Sequence, residues 1–204
     1  MSGWAWTALI LFVGWAGYAF GVRAAVQHHQ TGDAGFRGIS GRPGSASWWA
    51  GVLFVLAMTG GAAAPVAALA GLGNLPATGG AAVRWAGLAV TLVGIAATTA
   101  AQGAMGASWR VGVQDGEHTA LVTSGAFALV RNPVFTAMSV TAAGLALMVP
   151  NAVAVLTVAA LVAAIQLQVR VVEEPYLART HAGAYAAYTA TAGRFVPDVG
   201  RRRA

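Results

Sequence analysis

Five long apolar runs, separated by short polar segments, most constrain what this chain can fold into. A helix needs about 20 consecutive apolar residues to cross the hydrocarbon core of a bilayer. The runs cover residues 4–22, 48–71, 83–105, 133–149 and 152–169. Charged residues make up only 9% of the chain, against about 25% in soluble domains. The sequence therefore predicts an all-α integral membrane protein with about five transmembrane helices and a cytosolic C-terminal helical region.

The arginines predict the orientation of these spans. Eleven of the twelve fall in the polar segments 23–45 and 107–131 or in the tail 170–204, and Arg84 lies on the opposite side. Basic residues concentrate on the cytoplasmic side of membrane proteins. We therefore expect both segments and the tail in the cytoplasm and the N-terminus outside. No charge precedes the first run, which we expect to be an uncleaved span. The composition is typical of a bacterial protein, which predicts a location in the inner membrane.

The polar residues predict a division of the chain into two parts. Residues 1–106 would form three N-terminal membrane helices, and residues 107–204 a half that holds almost every candidate for function, with a loop, a transmembrane hairpin and C-terminal cytosolic helices. Tyr185 and Tyr188 would share one face of an interfacial helix, and the end from Pro197 onward would be disordered.

Several classes of function lack their usual residues. The four histidines form no i, i+4 pair, and cysteine is absent, so we expect no metal site. The chain contains no GxSxG elbow and no Walker-type phosphate loop. The net charge of +6 suits anionic lipid. Because we find no soluble domain with a basic face, we expect no nucleic-acid partner.

The segment LVTSGAFALVRNPVF, residues 121–135, leads from a polar loop into the fourth apolar run. Asn132 is a suitable N-cap residue, whose side-chain oxygen can accept a backbone N–H. Pro133 suits the first helical position. A helix N-terminus beside Arg131 could bind an anion. The alternative is that Asn-Pro merely begins a helix and that Arg131 anchors it at the headgroups.

A second polar cluster follows the fifth run. Arg170, Glu173 and Glu174 are spaced i, i+3 and i+4, so on a helix they share one face. Charge near a membrane core is costly and is often functional. The alternative is that these charges pair with one another and stabilise the junction with water.

The segments HTALVTSGAFALVRNPVF and RVVEEPYLARTHAGAYAAYTATAGRF closely resemble the isoprenylcysteine carboxyl methyltransferase family. The related phospholipid methyltransferases share this pattern, which covers roughly residues 109–197; the first half contributes only spans. The resemblance implies an S-adenosylmethionine-dependent methyltransferase whose cofactor binds from the cytosol, between the loop and the tail. The cofactor-binding residues that it implies are His118, Leu121, Val122, Phe127, Arg131, Asn132, Pro133, Val134, Phe135 and Glu174.

The resemblance also assigns catalytic residues. Arg170 matches the arginine that holds the substrate carboxylate, and we expect Glu173 beside it at the reacting groups. The chain departs from the family at Asn132, where the family has histidine, and at Phe127 and Phe135, where it has tyrosine. One extra residue also separates His118 from the LVTSG motif.

The methyl acceptor remains open between two chemistries. A carboxylate is already ionised at neutral pH and needs no general base, which predicts O-methylation of a lipophilic, isoprenylcysteine-like acid. An amino-phospholipid headgroup would need a base such as Glu173 or His118, and Arg170 would repel its cationic form. A non-catalytic membrane scaffold or a small transporter is the alternative from another class. In each case the partners are membrane lipids or a lipophilic small molecule.

Overall fold

A computed structural model describes residues 2–76, 78–111 and 120–202, and these residues fold into a helical bundle. The helices are α1 (Ser2–Ala16), α2 (Arg23–Thr31), α3 (Ala46–Leu69), α4 (Ala81–Met105), α5 (Ala126–Leu129), α6 (Pro133–Met148), α7 (Ala152–Leu167) and α8 (Glu174–Thr191). Two π-helical turns, Gly17–Val22 and Gln168–Glu173, join α1 to α2 and α7 to α8. The predicted all-α class is confirmed, since the described residues form no strand beyond two isolated bridges.

Among the described residues, four continuous helices are long and apolar enough to cross a membrane. They are Ser2–Thr31, Ala46–Leu69, Ala81–Met105 and Ala152–Thr191. The fifth predicted span, Pro133–Met148, is apolar but has only 16 residues. The protein is an integral membrane protein, whereas its orientation across the bilayer stays a prediction.

Small residues allow α4 and α6 to pack in direct backbone contact. A Cβ atom on Gly94 would lie 2.6 Å from the backbone nitrogen of Thr141, and one on Gly144 would lie 2.5 Å from that of Thr91. Real Cβ atoms do not approach so closely, so these positions exclude larger side chains. Small-residue contacts of this kind are typical of membrane helices. They hold the beginning of α6 beside the end of α4, where the candidate site lies.

The helices of the two sequence halves interleave. α4 packs along α6, and α3 packs along α7. Asn151 reinforces the second pairing, because it caps α7 through Ala154 and donates its side-chain amide to the carbonyl of Ala64 in α3 at 2.9 Å. The division at residue 106 therefore describes the sequence rather than two separately packed units.

The first polar segment folds over one end of the bundle. Val111 donates its backbone N–H to Gly35 at 2.8 Å and accepts one from Arg37 at 3.1 Å. Gly35 has a φ of +74° and lies against the Trp109 ring, so a side chain there would be strained and crowded. Asp33 bonds Arg37, which lowers the pKa of Asp33 to about 2. These contacts fix residues 33–37 against the segment that follows α4.

The C-terminal segment is folded, so the prediction of a disordered end from Pro197 is wrong for the described residues up to 202. Arg194 donates its backbone N–H to Val199 at 2.8 Å, and Arg202 donates its own to Thr189 in α8 at 2.9 Å. The prediction failed because it rested only on the local polarity of this segment. It could not take into account the carboxylate, distant in the sequence, to which arginines of the segment bond.

Candidate active site

Two adjacent cavities share one wall near the end of α4. The shared wall is formed by Met105, Arg110, Phe127, Arg131, Asn132 and Glu173. These residues come from the end of α4, the segment that follows it, α5, the two residues before α6 and the π-helical turn before α8. The chain thus brings its two predicted polar clusters, around residues 131 and 173, to one place.

The first of these, the polar cavity, has a volume of about 130 Å³. Besides the shared wall, its lining comprises Ser108, Ala120, Leu121, Val122, Glu174, Tyr176, Leu177, Tyr185 and Tyr188. Aromatic faces and charged groups therefore alternate around it.

Glu174, the first residue of α8, organises one side of the polar cavity. Its side chain is 3% exposed and accepts hydrogen bonds from three arginines. Oε1 accepts from Arg131 Nη2 at 2.9 Å and Arg194 Nε at 2.7 Å; Oε2 accepts from Arg194 Nη2 at 2.9 Å and Arg202 Nη2 at 3.0 Å. The bond to Glu174 raises the pKa of Arg194. Such charge-assisted, partly bidentate bonds are strong and directional.

Arg131 is the buried member of this cluster. Its Nη1 donates to the carbonyl of Ala192 at 2.6 Å, and its Nη2 also donates to that of Gly200 at 3.1 Å. Its Nε is buried and has no hydrogen-bond partner among the described residues. The arginine expected to attract an anion is therefore held by Glu174, and it retains one unpaired donor at the shared wall.

Asn132 begins α6 as predicted, but its side chain does not cap the helix. It has φ −128° and ψ 56°, and its side chain makes no cap hydrogen bond. Instead, its side-chain amide donates to the carbonyl of Arg194 at 3.0 Å. The expected cap was wrong because the backbone lies outside the extended region usual for N-caps and the tail offers a competing acceptor. Pro133 does occupy the first helical turn.

The tyrosines of α8 connect that helix to the loop before α6. Tyr185 and Tyr188 lie on one face, with ring centroids 6.3 Å apart, as their spacing predicted. Tyr188 donates its hydroxyl to the carbonyl of Phe127 at 2.6 Å. Both side chains are buried, so this face of α8 forms a cavity wall rather than a membrane-surface face.

The second cavity, the apolar cavity, has a volume of about 330 Å³. The lining that it does not share consists of Phe20, Phe36, Gly38, Ile39, Ala50, Gly51, Phe54, Val55, Gln102, Trp109, Val111, Pro133, Val134, Phe135, Met138, Ala164, Ile165 and Gln168. Aliphatic and aromatic groups dominate this set. A largely apolar cavity with a few polar groups is typical of small-molecule sites.

Both π-helical turns contribute to the apolar cavity. The first turn supplies Phe20, and the second supplies Gln168 and Glu173. Gln168 donates its side-chain amide to Glu173 at 3.2 Å. Turns of this kind are frequent at functional sites. Within the polar cavity, the guanidinium of Arg110 in the shared wall lies 5.6 Å from the ring centroid of Tyr176.

A family model described as phospholipid methyltransferase matches residues 82–184, half of the chain. The chain belongs to the phospholipid methyltransferase family. It is thus a membrane methyltransferase of the phospholipid or isoprenylcysteine type, and membership implies lipid or lipophilic substrates. This confirms the family that the LVTSG and Glu-Glu segments predicted. No curated protein and no solved structure matches the chain.

The two cavities differ in how much of their lining lies within the residues that the family model matches. Every residue that lines the polar cavity, apart from Tyr185 and Tyr188, lies within residues 82–184. The apolar cavity also uses residues from α3, the first π-helical turn and the first polar segment, all before residue 82. The first half therefore contributes more than spans, contrary to the expectation from sequence.

Most of the residues predicted to bind the cofactor meet at the two cavities. Leu121, Val122 and Glu174 line the polar cavity; Phe127, Arg131 and Asn132 lie in the shared wall; Pro133, Val134 and Phe135 line the apolar cavity. Glu173, predicted to be catalytic, also lies in the shared wall. The roles of these residues stay predictions, but all the residues named in this paragraph line one or both of the cavities.

Arg170, predicted to be catalytic, stands apart from this arrangement. Arg170 is exposed, its Nε donates to Gln166 Oε1 at 2.6 Å, and it lines neither cavity. Its expected role at a substrate carboxylate stays a prediction, which this position does not support. Arg170 does lie in a helical segment, as its spacing predicted. That segment is the π-helical turn before α8, which changes the residues that share a face with Arg170. His118 lies outside the described residues.

The sequence reasoning gave no role to Arg110 or Gln102, although both line the cavities. Arg110 belongs to the SWRVGV segment, residues 108–113, whose arginine and tryptophan in a polar loop were a usable signal. Gln102 is a polar residue in an otherwise apolar span, which is a signal in itself. In the described part of the chain, no group of three or more His, Asp or Glu side chains could hold a metal ion.

Proposed function

We propose that the protein transfers the methyl group of S-adenosylmethionine to the carboxylate of a lipophilic acceptor. The observation that carries this proposal is the wall shared by a polar and an apolar cavity. Methyl transfer needs the donor and the acceptor aligned at one point. A shared wall lets each molecule occupy the cavity that suits it while their reacting groups meet.

The polar cavity suits S-adenosylmethionine. The molecule combines an adenosine, a sulfonium cation and an amino acid, so it needs aromatic faces, hydrogen-bond acceptors and an anion-binding group. Tyr176, Tyr185 and Tyr188 offer aromatic faces, which also attract cations. The unpaired Nε of Arg131 suits the carboxylate of the amino acid. When bound, S-adenosylmethionine supplies an activated methyl group, and its transfer leaves S-adenosylhomocysteine.

The charges beside the shared wall favour an anionic acceptor. In the described part of the chain, Glu174 is bonded by three arginines, so its negative charge is fully compensated. Arg110 and Glu173 both line the shared wall. The surplus of positive charge favours a carboxylate over an alkylammonium, whose charge it would repel.

Arg110 replaces Arg170 in this proposal as the residue that orients the acceptor carboxylate. Arg110 lines both cavities, whereas Arg170 lines neither. A guanidinium at the wall can bind a carboxylate through two parallel hydrogen bonds. No base is required, because the carboxylate is ionised before it binds.

N-methylation of an amino-lipid is a second candidate, and Glu173 is the observation that favours it. Glu173 lines both cavities, so its carboxylate could accept a proton from an ammonium group at the wall. The family description, phospholipid methyltransferase, agrees with either acceptor. Besides the carboxylate acceptor, the proposal includes a bacterial origin of the protein and an active site on the cytoplasmic side.

Radiolabelled methyl transfer distinguishes the two candidates. The purified protein is incubated with S-adenosylmethionine and either hexadecanoate or phosphatidylethanolamine, and the lipid product is treated with mild base. We expect a base-labile methyl ester from the acid. A base-stable product from the amine alone would establish N-methylation instead.

Two arginine variants test the proposed orientation of the acceptor. We expect Arg110→Ala to lower kcat/KM for the acid by about a hundredfold, as loss of a charged hydrogen-bond pair costs about 2–3 kcal/mol. The matched Arg170→Ala variant should retain near wild-type activity. The reverse result would restore Arg170 as the carboxylate-binding residue.

A further inference from the structure

Gln102 is a buried polar side chain in the apolar cavity whose side-chain oxygen has no hydrogen-bond partner within the described residues. It lies in the last turns of α4, is 2% exposed and lines the apolar cavity. Its Nε2 donates to the carbonyl of Ala19 at 3.1 Å. Its Oε1 is buried and has no hydrogen-bond partner within the described residues.

The bond to Ala19 fixes the orientation of the Gln102 amide. A carbonyl can only accept, so the NH₂ group of Gln102 must face Ala19 and the oxygen must face elsewhere. The π-helical turn that contains Ala19, Gly17–Val22, positions this carbonyl. The chain therefore holds a hydrogen-bond acceptor in a defined orientation in an apolar lining. Leaving such an acceptor unpaired costs about 1–3 kcal/mol.

Gln102 lies close to the shared wall, where the reacting groups would meet. Met105, three residues later on α4, belongs to the wall that both cavities share. Residues three apart on a helix are neighbours on one face. A ligand group that reached Gln102 would therefore lie close to the group that receives the methyl.

From these contacts we infer that Gln102 Oε1 selects acceptors that carry a hydroxyl or amide N–H donor beside the methyl-accepting group. The inference rests on the proposed function, because it takes the apolar cavity as the acceptor site. A 2-hydroxy acid or an N-acylated amino acid with a long apolar chain meets the requirement. A plain fatty acid fills the cavity but leaves Gln102 unpaired.

Matched ligands test this selection on the wild-type protein. Dissociation constants are measured by calorimetric titration in detergent for 2-hydroxyhexadecanoate, 2-methoxyhexadecanoate and hexadecanoate. The first carries an O–H donor, the second has the oxygen without the donor, and the third lacks both. We expect the hydroxy acid to bind about tenfold more tightly than either of the others. Equal affinity for all three acids would overturn the inference, with no variant needed.

Variants then assign the selection to Gln102. Gln102→Met keeps the length of the side chain but removes both the acceptor and the donor to Ala19. The preference is therefore taken as the ratio of the two dissociation constants within the variant, and we expect the tenfold ratio between hexadecanoate and 2-hydroxyhexadecanoate to disappear. Thr98→Val is the matched control, since Thr98 is buried one turn earlier on α4 and its hydroxyl bonds within the helix to Gly94. It should keep the preference. A preference that persists in Gln102→Met would refute the role of Gln102.

Ester formation from the same acids separates this inference from the proposed function. Selective binding of the hydroxy acid without any methyl ester would reject carboxylate methylation and still support the selection by Gln102. Ester formed from all three acids with equal kcat/KM would support carboxylate methylation and reject the selection.

Discussion

The polar and apolar cavities differ in how the chain builds them. The polar cavity depends on ion pairs and hydrogen bonds that converge on Glu174, and nearly all of its lining lies within the family match. The apolar cavity depends on side-chain packing and draws part of its lining from outside that match. We therefore expect the polar cavity to tolerate few substitutions. Substitutions in the apolar cavity can change its shape at a modest cost in stability.

This difference agrees with a division of labour in a methyltransferase. A common methyl donor needs a fixed set of polar contacts, whereas acceptors differ mainly in their apolar parts and in one or two polar groups. Discrimination by apolar contacts alone is weak, about 1–3 kcal/mol per methylene. A single oriented polar group such as Gln102 can add selectivity that packing cannot supply.

The largest expected effect would come from breaking the polar cavity at its central carboxylate. Glu174→Gln leaves Arg131 buried without its counter-charge, and breaking a buried pair in this way costs about 3–5 kcal/mol. We expect a marked fall in the thermal unfolding midpoint in detergent and loss of S-adenosylhomocysteine binding by calorimetry. Asp33→Asn, which removes an exposed partner of Arg37, is the control and should leave the unfolding midpoint close to that of the wild type. Equal effects of the two variants would contradict the central role of Glu174.

A smaller effect should follow from filling the apolar cavity. Ala164→Phe places a ring among its lining residues, so we expect KM for a long-chain acid to rise about tenfold, or about 1.4 kcal/mol. S-adenosylhomocysteine affinity should stay unchanged. The adjacent Ala163 is exposed, and Ala163→Phe should alter neither value. If Ala164→Phe weakened S-adenosylhomocysteine binding as much as acceptor binding, the two cavities would not be separate sites.

The smallest effect concerns the contact between α8 and the loop before α6. Tyr188→Phe removes the hydroxyl that bonds the carbonyl of Phe127, which should cost about 1 kcal/mol of stability. We expect S-adenosylhomocysteine affinity to fall severalfold, with KM for the acid unchanged. Calorimetry and initial rates measure the two quantities. Thr191→Val, which removes an exposed hydroxyl on the same helix, is the control.

The helices themselves were largely predictable. Helices α1, α3, α4, α6 and α7 each follow from one of the five apolar runs, and Pro133 correctly indicated where α6 begins. Helix α2 was not indicated, because it lies in the first polar segment. The family was also predictable, because its motif residues are contiguous in the LVTSG and Glu-Glu segments. Local sequence is enough for such features, since they depend on neighbours within a few residues.

The partners of the polar residues were not predictable in the same way. Asn132 was expected to cap its own helix but bonds the carbonyl of Arg194 instead, 62 residues away. Arg202 lies in the end that composition predicted to be disordered from Pro197, but it bonds Glu174. A lone polar side chain takes the best acceptor or donor that the fold brings near, and periodicity does not encode that choice.

The sequence by itself determined a membrane-embedded helical protein of the phospholipid methyltransferase family, because hydrophobic length and contiguous motifs are local properties. The tertiary structure alone decided that Arg131 pairs with Glu174 and that Arg110 and not Arg170 lies between the cavities. It also decided that the Gln102 oxygen has no hydrogen-bond partner in the part of the chain that the structure describes. These outcomes depend on contacts between distant segments. Burial makes the presence or absence of a hydrogen-bond partner important for the stability of the fold. The same residue types have a much smaller effect when they are exposed to solvent.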